Sequence, residues 1–261
     1  MNSTALPVGA LLRQWRQRRR LSQLDLACEA DISTRHLSFV ETGRARPSRE
    51  MLLHLAERLQ IPLRERNLLL IAGGYAPPYG ERPLDDPALQ AARDAIDQLL
   101  AAHEPNPALA IDRHWQLLAA NRCVPPLLAD LPEELLQPPL NVLRLSLHPQ
   151  GLAPRIRNLG QWRAHLLARL QRDLEVSADP ALAELLAELT GYPAPAEPAT
   201  PGGVLVPLQL DTPWGPLSLI STTTVFGTAV DVTLAELALE TFFPADDASA
   251  RILRQLHDQY A

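Results

Sequence analysis

The sequence predicts two domains: an all-α bundle over residues 1–75 and an α+β domain over residues 106–261 built on an antiparallel five-stranded sheet, with residues 76–105 as linker and connecting helix. Three observations predict this. Residues 8–72 keep apolar positions at helical spacing through five short segments. The stretch Tyr75–Pro87 then interrupts the pattern with Pro77, Pro78, Gly80 and Pro83. Beyond Pro107, strand-like segments occur at both ends of the remaining chain, two early and three late. Charge divides at the same place. The formal net charge is −6, yet residues 1–80 hold 12 arginines against 7 acids, a net of +5, and residues 81–261 hold 12 against 23, a net of −11. A basic front and an acidic rear assign any polyanion contact to the front.

The first helix runs from about Val8 to Arg19, with Val8, Leu11, Leu12 and Trp15 on one face. Ser22 caps the second, and Asp25 three residues on completes a capping box. Ser33 caps the third, which ends at Gly43, a residue suited to the left-handed position past a helix end. Pro47 and Ser48 open the fourth, which carries Leu52, Leu55 and Leu59; the fifth spans Leu63 to Ala72 and stops at Gly73-Gly74. A connecting helix follows over about Pro87 to His103. Ala108–Asp112 and Trp115–Ala119 read as two strands around a turn, with Asn121 starting a helix. Helices fill much of 121–190, including Leu159–Leu174, and Pro193–Gly203 reads as a loop. Val204–Leu210, Leu217–Val225 and Val230–Leu239 read as the three late strands.

Gln23–Thr42 forms a helix-turn-helix unit. Two helices crossing at a tight turn need a small residue where they approach, and Ala27 supplies it. Leu26, Ala30, Ile32, Leu37 and Val40 supply the shared apolar face. The turn position that usually holds glycine is Asp31, which tolerates the left-handed conformation better than most residues. This geometry places the third helix in a DNA major groove, N-terminal end leading. Ser33, Thr34, Arg35 and Phe39 project outward, and Arg35 is suited to guanine O6 and N7. Thr34 or Phe39 meets a thymine methyl, although Phe39 packs equally well against the fourth helix. Gln23 is placed to bond a phosphate, and the loop Gly43–Arg46 offers backbone amides with Arg44 and Arg46 to the next phosphates. Arg18-Arg19-Arg20 reads as a solvated face, and Arg16 with Glu41 as an ion pair bracing the recognition helix.

The unit resembles the Xre-type, lambda-repressor-like domains. The strings RHLSFVETGRARPSREM, LRERNLLLIAGGYAP, NVLRLSLHPQGLAPRI and STTTVFGTAVDVTLAEL resemble regulators with a C-terminal MmyB-like ligand-binding domain. The resemblance implies a PAS-like second domain and a fatty-acid-like ligand within it. The reading of two early and three late strands agrees with that strand order.

Trp115, Leu145, Trp162 and Phe226 are the candidate walls of a pocket, and ordinary core is the competing role for each. Arg163 and His165 are the candidate partners of a carboxylate head. The expected partners are a double-stranded DNA operator, a small apolar ligand and a second copy of the chain, with no cofactor beyond a bound fatty acid. The alternative is a DNA-binding regulator whose second domain mediates protein contact or dimerisation without ligand. An enzyme is the rival class, but HExxH, GxSxG and phosphate-loop signatures are absent. Cys28 and Cys123 lie too far apart in sequence to suggest a disulfide framework, no apolar run reaches the ~18–20 residues of a membrane span, and no secretory signal is read, so a cytoplasmic setting is expected.

Overall fold

A computed structural model describes residues 6–193, 205–227 and 229–260. The chain divides into two compact units, the first running to Arg82 and including Glu175–Ser177 and Val230–Val232, the second taking the rest. The first contains α1 (Val8–Arg18), α2 (Gln23–Glu29), α3 (Thr34–Glu41), α4 (Arg49–Arg58) and α5 (Leu63–Ala72). Their starts follow local hydrogen-bonding chemistry. The Ser22 hydroxyl accepts the Asp25 N–H at 3.1 Å and the Asp25 carboxylate accepts the Ser22 N–H at 2.8 Å, closing the expected capping box. Ser33 and Ser48 accept from His36 and Met51, both at 3.1 Å. Each such cap contributes about 1 kcal/mol. Asp31 adopts φ 50° at the α2–α3 turn and Gly43 φ 74° past α3, both left-handed as the sequence requires. Leu12, Trp15, Leu26, Ala27, Leu37, Val40, Leu52, Leu55 and Leu69 form the buried core.

Two further contacts fix α1 against α3. A Cβ on Gly9 would lie 2.3 Å from the Val40 carbonyl oxygen, so only glycine permits this approach. Arg16 Nε and Nη2 donate to the two Glu41 carboxylate oxygens at 2.6 and 2.9 Å, and Arg16 Nη1 reaches the Leu21 carbonyl at 2.8 Å. Both charged residues are buried. This is the ion pair the sequence suggested.

The second unit carries β1 (Ala108–Ile111), β2 (Leu117–Ala120), β3 (Leu208–Thr212), β4 (Gly215–Val225) and β5 (Ala238–Pro244) in one antiparallel sheet of order β2-β1-β5-β4-β3. Its helices are α6 (Gln90–Ala102), α7 (Pro125–Leu128), α8 (Glu133–Leu136), α9 (Val142–Leu147), α10 (Leu159–Ser177), α11 (Pro180–Thr190), α12 (Val232–Ala235) and α13 (Asp247–Tyr260). One sheet face meets α6 through Ile96, Leu100, Ala108, Ala110 and Leu239. The other meets the larger cluster containing Leu143, Trp162, Leu166, Leu170, Leu217 and Leu253. Register places Leu109 opposite Glu240 and Ser221 opposite Phe242, and all four point to this second face. Each outer strand is met by other backbone along part of its edge. Gln116 bridges Asn141 and the Leu117 N–H donates to the Leu140 carbonyl at 2.7 Å; Ile156 bridges Leu210 and the Arg157 N–H donates to the Gln209 carbonyl at 2.8 Å.

Several expectations are corrected. The last strand is Ala238–Pro244, not Val230–Leu239, because the helical turn Val232–Ala235 interrupts the apolar alternation. Trp115 belongs to the β1–β2 turn, with φ 64°, and not to a strand. Asn121 does not start a helix; α7 begins at Pro125. Its buried side chain instead accepts the Ala108 N–H at 3.2 Å and donates to the Asn106 carbonyl at 2.8 Å. Leu205–Pro207 precede β3 and are not strand residues. From residue 194 on, the expected loop Pro193–Gly203 lies outside the described residues, as does Val204.

Burial pushes the Glu41 carboxyl up, but the bonds from Arg16 and Gln23 and the Arg16 charge outweigh it and hold the group below the usual carboxylate range. A depressed carboxyl pKa stabilises the fold at neutral pH, and that contribution is lost as pH falls below about 4.3 through the folded value. Glu41→Ala leaves Arg16 buried and uncompensated, and should destabilise the first unit by about 3–5 kcal/mol. Denaturant unfolding measures this, and a loss below about 1 kcal/mol, the range of an exposed pair, contradicts the bracing role.

Candidate functional site

The first unit presents α3 with its N-terminal end open. Ser33 and Arg35 are exposed and Thr34 is half-buried, while Leu37 and Val40 face the core. The half-buried Phe39 ring lies between two guanidinium groups, Arg35 at 5.3 Å and Arg44 at 5.9 Å from its centroid. Ser33, Thr34, Arg35, Phe39 and Arg44 thus share one surface. The other sequence candidates are engaged within the protein. The Gln23 amide donates to Glu41 Oε2 at 2.8 Å, which leaves its second N–H for a phosphate. Arg46 Nη2 donates to the Gly73 carbonyl at 3.2 Å and its guanidinium lies 5.9 Å from the Tyr75 ring centroid. The amides of Gly43, Arg44 and Ala45 donate back to the Val40 and Phe39 carbonyls at 2.8 to 3.1 Å, so side chains carry the loop's remaining capacity for anions. Arg19 donates to the carbonyls of Leu59 and Gln60, both at 2.9 Å, and closes the end of α4.

The second unit holds a partly open cavity of about 110 Å³ between the sheet and helices α7, α9 and α10. Its walls are mostly leucine with Trp115, Trp162, Val124, Val142 and Phe242. Three sequence candidates line it: Trp115, Leu145 and Trp162. The Trp162 indole donates to the Ser146 hydroxyl at 2.9 Å, which fixes the ring in the wall. The other three lie elsewhere. Phe226 packs against the α6 side of the sheet. Arg163 donates to the Thr190 carbonyl at 2.7 Å at the end of α11, and its buried Nε has no partner among the described residues. His165 stacks on Trp162 with centroids 5.5 Å apart, behind the wall. Burial, then the charges of Arg169 and Arg172, hold its imidazole below the usual histidine range.

Sequence reading missed the polar part of the wall: Ser146, Arg169, Ser221 and Glu240. A signal existed for two of them. Trp162, Leu166 and Arg169 recur at i, i+4 and i+7, one stripe of α10. Glu240 occupies an inward position in the strand ALETFFP, where an acid stands out among apolar neighbours. Arg169 Nη1 donates to Glu240 Oε2 at 3.0 Å, and Nη2 bonds both Glu240 Oε1 and, at 2.7 Å, the Thr223 hydroxyl. The guanidinium also lies 4.5 Å from the Trp115 ring centroid. The Trp115 indole donates to Asp173 at 3.2 Å, and burial pushes that carboxyl up. Among the described residues, no group of three or more histidine, cysteine, aspartate or glutamate side chains is placed to hold a metal, and no helix is long and apolar enough to cross a membrane.

Residues 92–256, more than half of the chain, match the MmyB-like transcription regulator ligand binding domain, and residues 7–69 match a helix-turn-helix domain. No curated protein matches the chain. Among solved structures, an RNA-binding light-oxygen-voltage receptor aligns over 97% of this chain at 13% identity, with a TM-score of 0.29; the alignment spans 63% of that receptor's chain.

The arginines of the α3 loop differ in their bonds, which gives a stability test. Arg46→Ala removes a bond to backbone and a ring contact, and should lower the stability of the first unit by about 1 kcal/mol. Arg44→Ala removes only an exposed contact with Phe39 and should stay within about 0.5 kcal/mol of the parent. Thermal unfolding of the two variants checks the order, and the reverse order contradicts it.

Proposed function

The chain belongs to the family of helix-turn-helix transcription regulators that carry an MmyB-like ligand-binding domain, and on that premise we propose that it couples binding of a DNA operator to a small apolar ligand of the acyl class. The observation that carries the ligand half of this reading is the cavity walled by Trp115, Leu145 and Trp162. An apolar cavity of ~150 Å³ takes up benzene, so about 110 Å³ accommodates a chain segment of roughly four to six carbons as it stands. Each methylene buried there contributes about 0.8 kcal/mol. Longer chains require leucines in the wall to move. The PAS-like assignment of this domain rests on its strand order and belongs to the same proposal.

On the DNA side, α3 enters the major groove from its N-terminal end. Arg35 reads guanine, Ser33, Thr34 and Phe39 meet neighbouring base edges or methyl groups, and Gln23, Arg44 and Arg46 position the backbone. Arg35 resting on Phe39 narrows the directions its guanidinium samples before contact. One such unit covers a single half-site, so two copies of the chain bind half-sites about 34 Å apart as a homodimer. The regulator acts in the cytoplasm, where the operator is.

Two measurements test the reading. Arg35→Ala should weaken operator binding by about 1–3 kcal/mol and relax base preference at one position, whereas Arg44→Ala should weaken all sequences alike and lower the salt slope by about one. Unchanged base preference in the Arg35 variant overturns the orientation of α3. For the ligand, delipidated protein should gain thermal stability with medium-chain acyl compounds, about 2.7 kcal/mol at a hundredfold excess over Kd, with a parallel change in operator affinity. Leu145→Trp, which fills the cavity, should abolish the gain. No shift with any acyl compound favours a second domain that acts through protein contact alone.

A further inference from the structure

The polar part of the cavity wall decides which head group an apolar ligand carries; this inference rests on the apolar-ligand reading and sharpens it. Among the described residues lining the cavity, Arg169 is the one cation and Glu240 the one anion, and they are bonded to each other. Both Glu240 oxygens accept from Arg169, and the Thr223 hydroxyl adds a 3.0 Å bond to Oε1. The flat face of the Arg169 guanidinium is covered by Trp115. The charge of Arg169 is therefore balanced on the spot, and the Glu240 side chain is only 6% exposed.

A fatty-acid carboxylate entering this cavity meets no unbalanced positive charge. Arg163 lies outside the wall and engages the end of α11. His165 lies behind Trp162, and burial keeps it uncharged near neutral pH. The Asp173 carboxyl behind Trp115 faces the charges of Arg169 and Arg172 and offers a carboxylate no donor. If the ligand displaced Glu240 from Arg169, a buried carboxylate would be left without its partner, one of the most unfavourable arrangements in a protein interior.

The remaining polar groups in the wall are uncharged hydroxyls. Ser146 accepts from the Trp162 indole, which leaves its own proton free to donate. Ser221 lies on β4 opposite Phe242, on the cavity face. Hydroxyl donors and acceptors in an apolar wall suit a carbonyl, ester or hydroxyl group, and they make no demand for charge.

We propose that the cavity selects uncharged amphiphiles, a short alkyl or acyl chain ending in a hydroxyl or ester, over free fatty-acid anions of the same length. The test uses the full-length, delipidated protein and the six-carbon probes hexanol, methyl hexanoate and hexanoate, at slightly alkaline pH so that the acid is ionised. The chain of these probes matches the cavity, so the head group stays against its wall or at its mouth. Trp115 and Trp162 line the cavity, so tryptophan fluorescence reports binding directly, and thermal shift provides a second readout. Hexanol or the ester should bind at least about tenfold tighter than hexanoate. Glu240→Gln frees the charge of Arg169 and should narrow the gap by improving hexanoate. If this variant does not fold, the ratio in the unmodified protein decides alone. Hexanoate binding as tightly as hexanol overturns the proposal and leaves the apolar-ligand reading standing. Failure of all three probes overturns that reading, and the proposal with it.

Discussion

The geometry of the exposed α3 surface depends on one buried ion pair. Arg16 on α1 holds both oxygens of Glu41, the last residue of α3, and Gln23 at the start of α2 adds a third bond to the same carboxylate. One side chain thus ties together three helices. An isolated buried charge is strongly unfavourable, so the helices are held where all three partners meet, and alternative packings of α3 leave Glu41 uncompensated. Gly9 contributes the matching steric condition. Its missing side chain lets α1 lie directly on the carbonyls at the end of α3. The orientation of Arg35 and Phe39 toward solvent follows from these two constraints and from the buried Leu37 and Val40.

The second unit uses the same chemistry differently. Arg169 and Glu240 also form a bonded pair, with Thr223 and the Trp115 ring completing the shell. Arg16 and Glu41 sit within a packed bundle. Arg169 and Glu240 stand in the wall of a cavity and join α10 to the central strand β5.

Local chemistry made the first unit almost fully legible in the sequence. Ser22 with Asp25, Ser33, Ser48, Asp31 and Gly43 each act within a few residues of themselves, so their roles can be read without knowing the fold. The Arg16–Glu41 pair was also readable, because the helix-turn-helix pattern places its helices in advance. The second unit was legible in outline only. The number and order of its strands were read, but the last was placed at Val230–Leu239, because the turn of helix at Val232–Ala235 hid in an apolar run that alternates like a strand. Trp115 reads as a strand residue because its neighbours do, and its positive φ is set by the turn. Arg169 and Glu240 are 71 residues apart, so nothing near either names the other. Asn121 bonds Ala108, Asn106 and Leu100, all earlier in the chain, and only the folded hairpin reveals it as a structural hub.

The borders of the sheet bear on how readily another chain could add a strand to it. An open outer strand is a template for another chain, and sheets with bare edges pair, swap or aggregate through them. Here β2 is flanked by the segment around Leu140 and Asn141, and β3 by Ile156, Arg157 and Asn158, whose amide donates to the Pro207 carbonyl at 2.8 Å. The protein's own backbone thus occupies part of both outer edges, at Gln116–Leu117 and at Gln209–Leu210. Strand addition at these positions would first have to displace that backbone.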